Sequence, residues 1–179
     1  MKEIQVLDKT FVSAISEAEI FAAIDKLADQ LTRDYQDKQP MFLMILNGSF
    51  MFAADLLKRA TFPATMASIK LSSYEGMLTS GRVREVIGLT EDISGRDIII
   101  LEDIVDTGTT MHCLIPDLMQ KGAKSVEICT FLHKPDALIF EDARPKYIGF
   151  EINNLFVLGY GLDYNGYGRN LPEIYMLKN

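Results

Sequence analysis

Short, mostly apolar runs punctuate the chain: residues 41–46, 66–71, 98–101, 126–132 and 147–150. The runs at 41–46 and 98–101 are continuously apolar and that at 126–132 nearly so, reading as strands covered on both faces, the pattern of a parallel sheet; 66–71 and 147–150 are further strand candidates. Between them the spacing changes to that of helices. Ser16-Glu17-Ala18-Glu19 is a capping box, and Ile20, Ala23, Ile24, Leu27 and Leu31 continue it on one face. Asp25, Lys26, Asp29 and Arg33 form the solvated face of that helix. Ser49 is placed to cap a second helix carrying Phe52, Ala53, Leu56 and Leu57. A third helix is predicted over 111–120, closed by Lys121-Gly122, with Pro116 kinking it or breaking it between Cys113 and Pro116. A short apolar piece opens the chain at 4–7 and another falls at 156–158. Residues 159–169 are too rich in glycine and tyrosine for regular structure. Strands alternating with helices predict one α/β domain over 1–179, with a mostly parallel central sheet flanked by helices.

The third run carries the chemistry. Ile98-Ile99-Ile100-Leu101 is followed by Glu102, Asp103 and Asp106, then by Thr107, Gly108, Thr109 and Thr110. Open α/β sheets bind ligands at the carboxyl ends of their strands, where these residues fall. A Gly/Thr-rich turn leading into a helix collects unpaired N–H groups and the positive end of the helix dipole, which suits a phosphate. Three carboxylates beside such a turn repel one another and the anion. They need a partner between them: sugar hydroxyls, which donate to carboxylates, or a magnesium ion. Asn47-Gly48-Ser49 repeats the strand-to-turn-to-helix layout and offers a second cradle for an anion.

Composition narrows the field. Of 179 residues, 48% are hydrophobic and 24% charged, as in a globular protein, and no apolar run reaches membrane-spanning length. A net charge of -7 argues against a nucleic-acid surface, so positive charge for an anionic substrate must be concentrated locally. Cys113 and Cys129 lie in apolar periodic segments and read as free thiols in a reducing cytoplasm. The start Met1-Lys2-Glu3-Ile4 lacks the layout of a secretory signal.

The segment Leu101-Glu102-Asp103-Ile104-Val105-Asp106-Thr107-Gly108-Thr109-Thr110 resembles the phosphoribosyl-pyrophosphate signature of purine phosphoribosyltransferases, close to those acting on hypoxanthine and guanine. The resemblance runs in order from about Met41 to Arg169. It implies a type I phosphoribosyltransferase fold with a small hood and a mobile lid. It implies transfer of 5-phosphoribosyl from its pyrophosphate to a 6-oxopurine with magnesium as cofactor, in a dimer or tetramer, with no nucleic acid or membrane as partner. Glu102 and Asp103 would hold the ribose hydroxyls and the metal shell, Asp106 would handle the purine's ring proton, and residues 107–110 would cradle the 5-phosphate. Asn47 and Gly48 match the pyrophosphate loop, which in the family reads Leu-Lys-Gly, often through a non-proline cis peptide. Here Asn47 replaces the lysine, leaving the backbone freedom of Gly48. Ser73 and Tyr74 match the lid pair and Lys134 the lysine set against the purine's oxo group. In Phe156-Val157-Leu158-Gly159-Tyr160-Gly161-Leu162-Asp163, Phe156 would stack on the base and Val157 present backbone groups to its edge. Asp163 would lie near the metal, and Arg169 would meet the pyrophosphate.

Other readings use the same letters. Asp106-Thr107-Gly108-Thr109 matches the turn of aspartic proteases, but their framework is all-β. A non-catalytic nucleotide sensor on the same fold would need a basic or appended nucleic-acid surface. A magnesium-dependent hydrolase explains the acids but neither Ser73-Tyr74 nor Lys134. His133 reads as a loop histidine with no catalytic part.

Overall fold

The computed structural model describes residues 2–72 and 84–178. Its core is a six-stranded sheet. Strands β3 (Met41–Leu46), β4 (Thr65–Ser72), β6 (Asp97–Val105), β7 (Ser125–His133) and β8 (Tyr147–Glu151) are the five anticipated from apolar runs. With β5 (Arg84–Ile87) they lie in the order β5-β4-β3-β6-β7-β8. All neighbours are parallel except β5, which pairs antiparallel with β4. The absence of alternation in β6 has its expected cause. Ile99 and Leu101 pack on one face of the sheet, Ile98 and Ile100 on the other.

Helix α1 (Glu17–Tyr35) and helix α2 (Phe50–Leu57) cover the first face, burying Ile20, Ile24, Leu27, Leu31, Phe52 and Leu56. The capping box of α1 is complete: the Glu19 N–H donates to Ser16 Oγ at 3.4 Å, and the Ser16 N–H donates to Glu19 Oε2 at 2.9 Å. Ser49 precedes α2 but makes no side-chain cap. Its hydroxyl turns back to donate to the Ile45 carbonyl at 2.7 Å. Helix α3 (Thr109–Gln120) covers the second face through Met111, Leu114 and Leu118. It begins two residues earlier than the sequence pattern indicates and runs through Pro116 without a break. Pro116 removes one backbone bond, but buried Leu114 and Leu118 on either side anchor the helix across the gap.

A four-stranded antiparallel hood, in the order β1-β2-β10-β9, stands over the sheet. It joins β1 (Glu3–Val6) and β2 (Lys9–Ile15) to β9 (Val157–Leu158) and β10 (Ile174–Leu177) from the other end of the chain. Residues 159–169 contribute only isolated bridges, Gly159 with Leu162 and Tyr164 with Tyr167. Among the described residues no helix is long and apolar enough to cross a membrane.

Candidate active site

Strand β6 runs four residues past the apolar stretch, so Glu102 and Asp103 belong to the strand itself and only Asp106 follows it. The Asp103 N–H donates to Glu102 Oε1 at 3.2 Å, and the Ile104 N–H donates to Asp103 Oδ1 at 2.8 Å. Glu102 is buried. Burial, then the adjacent Asp103 charge, holds its carboxyl well above the usual carboxylate range. Asp103 is raised too, by burial, while hydrogen bonding from Glu102 and Ile104 and the charge of Arg169 hold it down. Burial and mutual repulsion thus disfavour a full negative charge on both carboxyls of the pair.

Three segments meet at Asp103 with no side chain between them. A Cβ at Gly48 would overlap Oδ2 and Cγ of Asp103, and a Cβ at Gly161 would overlap the Gly48 carbonyl oxygen. The turn after β3 is thus pinched between the acidic end of β6 and the loop after β9. The peptide joining Leu46 to Asn47 is cis. Tyr160 fixes the loop: its ring packs 5.0 Å from Phe131 in the core, and its hydroxyl donates to Asp55 Oδ2 on α2 at 2.7 Å. Arg169 closes the loop from outside, with Nη1 donating to the Gly161 carbonyl at 2.6 Å and Nη2 pairing with Asp163 Oδ1 at 2.5 Å. Asp163 Oδ2 also accepts the Gly166 N–H at 2.6 Å. The carboxylate expected near a metal is already engaged by a guanidinium and a backbone amide. Among the described residues no group of three or more His, Cys, Asp or Glu is arranged to hold a metal ion. Glu102, Asp103 and Asp163 therefore do not form a protein cage, although Mg2+ is commonly held by one or two carboxylates plus substrate phosphates and water.

Beside this junction, Glu102 and residues 104–111 line a cleft of about 100 Å³. Gly108 sits at its rim with φ +80, as the residue preceding α3. The hydroxyls of Thr107 and Thr109 lie 2.9 Å apart. The first N–H groups of α3 and these hydroxyls give the cleft the donor character an anion requires.

The third component lies at the ends of β7 and β8. Lys134 Nζ donates to Asp106 Oδ2 at 2.8 Å and approaches Asn154 Oδ1 at 3.5 Å. Its backbone N–H donates to the Val105 carbonyl at 3.0 Å. Phe156 lies just before β9 and remains 45% exposed. It meets Tyr164 edge-on at 5.8 Å and Phe11 at 6.2 Å, so neighbouring aromatic rings prop it while part of it stays open to a flat ligand. Val157 is in β9, an edge strand of the hood, which leaves backbone groups on its outer side outside the ladder. Ser73 and Tyr74 lie outside the described residues.

A phosphoribosyl transferase domain model matches residues 12–165. The hypoxanthine-guanine phosphoribosyltransferase of Bacillus subtilis (strain 168) is 40% identical over 165 residues, 92% of this chain and 91% of that protein. The enzyme of the same name from Lactococcus lactis is 41% identical over 174 residues, 96% of this chain and 94% of that protein. The chain belongs to the phosphoribosyl transferase domain family. A crystal structure of a hypoxanthine phosphoribosyltransferase from Staphylococcus aureus superposes with a TM-score of 0.88 at 38% identity, covering 93% of this chain and 91% of that one. The parallel sheet with its hood is thus the family's fold.

Set in this phosphoribosyltransferase frame, sequence reasoning missed three features. Asn154 gives no signal in an irregular stretch, yet its amide oxygen reaches toward the Lys134 ammonium. Gly161 is legible as a flexible residue but not as the one that lets two backbones touch. His133 is not a loop residue. It ends β7 and is fully buried, with Nδ1 3.2 Å from the Val105 carbonyl and Nε2 without a partner among the described residues. A carbonyl only accepts, so Nδ1 carries the proton. Nothing in the structure assigns Nε2 a task.

Proposed function

We propose that the protein transfers the 5-phosphoribosyl group of phosphoribosyl pyrophosphate to hypoxanthine or guanine, giving IMP or GMP and pyrophosphate in purine salvage. The observation that carries this reading is the adjacency of three unlike subsites along one edge of the sheet. An anion cleft is lined by residues 104–111, a buried acidic pair sits against Gly48, and an ammonium at Lys134 is held by Asp106. Phosphate, ribose and oxopurine are the three parts of the product in that order.

In this reading the turn of Thr107, Gly108, Thr109 and Thr110 takes the 5-phosphate. The oxygens of Glu102 and Asp103 are placed to take hydrogen bonds from the ribose hydroxyls. As the bond to pyrophosphate breaks, positive charge grows on the sugar and the Asp103 carboxylate stabilises it. Asn47 and Gly48 offer backbone groups to pyrophosphate, and Arg169 offers a planar donor fork. Asp106 is placed to accept the purine's ring proton, and Lys134 to donate to its oxo group. Phe156 supplies the stacking face and Val157 the backbone edge. Magnesium, bound by the pyrophosphate with help from Glu102, Asp103 or Asp163, would neutralise the leaving charge. Cys113 and Cys129 are both free thiols, which supports a reducing cytoplasm as the setting.

The test is direct. Protein, magnesium, phosphoribosyl pyrophosphate and each purine are mixed and nucleotide is sought by mass. IMP and GMP are expected and AMP is not. Absence of any nucleotide while phosphoribosyl pyrophosphate still binds would replace the enzyme with a nucleotide-sensing regulator on the same fold. Light scattering in the same samples reads the expected dimer or tetramer.

A further inference from the structure

The turn that takes phosphate is backed by a strap, residues 135–143, that leaves β7 immediately after Lys134. The strap contains two single 3-10 turns, Pro135–Ala137 and Glu141–Ala143. It touches the turn at its most constrained point. The Ile139 N–H donates to the Thr107 carbonyl at 3.0 Å. A Cβ at Gly108 would come within 2.8 Å of Ala143 Cβ and 2.9 Å of Leu138 Cδ1, so the strap fills the space a side chain would need there. Gly108 is held in a left-handed conformation that only glycine adopts without strain, and its carbonyl accepts the His112 N–H at 2.9 Å.

His112, in the first turn of α3, grips the strap by two means. Its ring stacks on Phe140 with centroids 4.1 Å apart and planes 17° apart. Its Nδ1 lies 2.8 Å from Asp142 Oδ2 and 3.0 Å from Oδ1. The strap is anchored by Ala143, fully buried, and by Leu138 and Phe140 packed on the same core, whereas Ile139 and Asp142 are exposed. Among the polar groups of its outer turn, Asp142 is held through His112. We propose that His112, Phe140 and Asp142 form a latch that positions the phosphate-binding turn of residues 107–110. These three do not touch substrate. They act through the strap, which fixes Thr107 and Gly108 from behind and continues directly into Lys134.

The inference rests on the proposed 5-phosphate site, and the experiment separates the two. Calorimetry with magnesium and phosphoribosyl pyrophosphate reads affinity whether or not turnover occurs, and steady-state kinetics reads KM for each substrate. His112→Ala removes both grips. It should weaken phosphoribosyl pyrophosphate binding and raise its KM by about 5–30-fold, while KM for hypoxanthine stays within about 2-fold. His112→Phe keeps the stack and should recover most of the loss. Asp142→Ala keeps the stack but frees the imidazole, and should fall between. Unchanged phosphoribosyl pyrophosphate affinity in His112→Ala overturns the latch, as does an equal loss for both substrates or a failure of His112→Phe to recover. If His112→Ala does not fold, Asp142→Ala decides by the same split between substrates. Wild-type protein that binds phosphoribosyl pyrophosphate but makes no nucleotide would end the proposed function and leave the latch readable by calorimetry.

Discussion

Replacing Gly48 with alanine tests the junction on which the proposed site is built. The new Cβ would fall on the Asp103 carboxylate, so that side chain must leave its place. Leaving breaks the 2.8 Å hydrogen bond from the Ile104 N–H, a bond to a charged acceptor worth about 1.5–3 kcal/mol. If the carboxylate stays, overpacking costs a similar amount, about 1–3 kcal/mol. For a chain of 179 residues that corresponds to a fall in Tm of about 2–12 °C. Thermal melting of Gly48→Ala, Asp103→Ala and the double variant forms a cycle. The alanine at 48 should cost little once the carboxylate is gone, giving a coupling of about 1–3 kcal/mol. Gly161→Ala is the reference for a worse clash, because its Cβ meets a backbone carbonyl at a residue with φ +101 and nothing there can swing aside. A Tm unchanged in Gly48→Ala, or an equal drop with and without the Asp103 carboxylate, would refute the contact.

Three more outcomes follow from the site. Glu102→Gln with Asp103→Asn should lower magnesium-dependent turnover yet raise the Tm of the empty protein above pH 7. Both folded-state pKa values are raised, so the stability these groups lend is present below their unfolded values near about 4 and is lost as pH rises. A double variant melting below wild type at pH 8 would contradict this. Asp106→Asn should keep the fold and substrate binding and lower kcat by about 10²–10⁴-fold, so unchanged turnover would remove Asp106 from acid–base work. Adenine should be disfavoured against hypoxanthine by roughly 10⁴–10⁵ in kcat/KM, and Lys134→Ala should lose oxopurine binding. Similar specificity constants for the two bases would remove Lys134 from recognition.

Much of this was legible in the sequence because its causes are local. The capping box of α1 needs only Ser16 and Glu19, and strands β3, β6 and β7 announce themselves because both their faces are buried, whereas β4 alternates buried Ala67 and Ile69 with exposed Met66 and half-buried Ser68. The sequence pattern of β6 stops four residues short because Glu102 and Asp103 interrupt the apolar run before Ile104 and Val105 resume it. Only its pairing with β7, Glu102 opposite Thr130 and Val105 opposite His133, shows that the strand continues. The hood was foreseen, but strands β2 and β10 were not, since Ile15 pairs with Ile174 from the far end of the chain and local pattern has no access to such contacts. Ser49 has the right position to cap α2 but spends its hydroxyl on the Ile45 carbonyl, a choice set by the shape of the turn. The latch is invisible for the same reason: His112, Phe140 and Asp142 meet only because the strap doubles back over α3.

The hydrogen bonds that the site's side chains make with one another set what a ligand must offer. The Lys134 side chain is only 10% exposed, whereas that of its partner Asp106 is 43% exposed. A buried ammonium without acceptors is costly, so Lys134 keeps Asp106 until another acceptor arrives, while Asp106 can return to water at little expense. A ligand group entering against Lys134 must therefore accept hydrogen bonds. An oxo group does so and releases the Asp106 carboxylate for the ring proton of the same purine. An amino group would leave the ammonium facing a donor and keep Asp106 tied to it. In this reading selectivity and the freeing of the base are one event, driven by the unequal burial of two side chains that the fold places 2.8 Å apart.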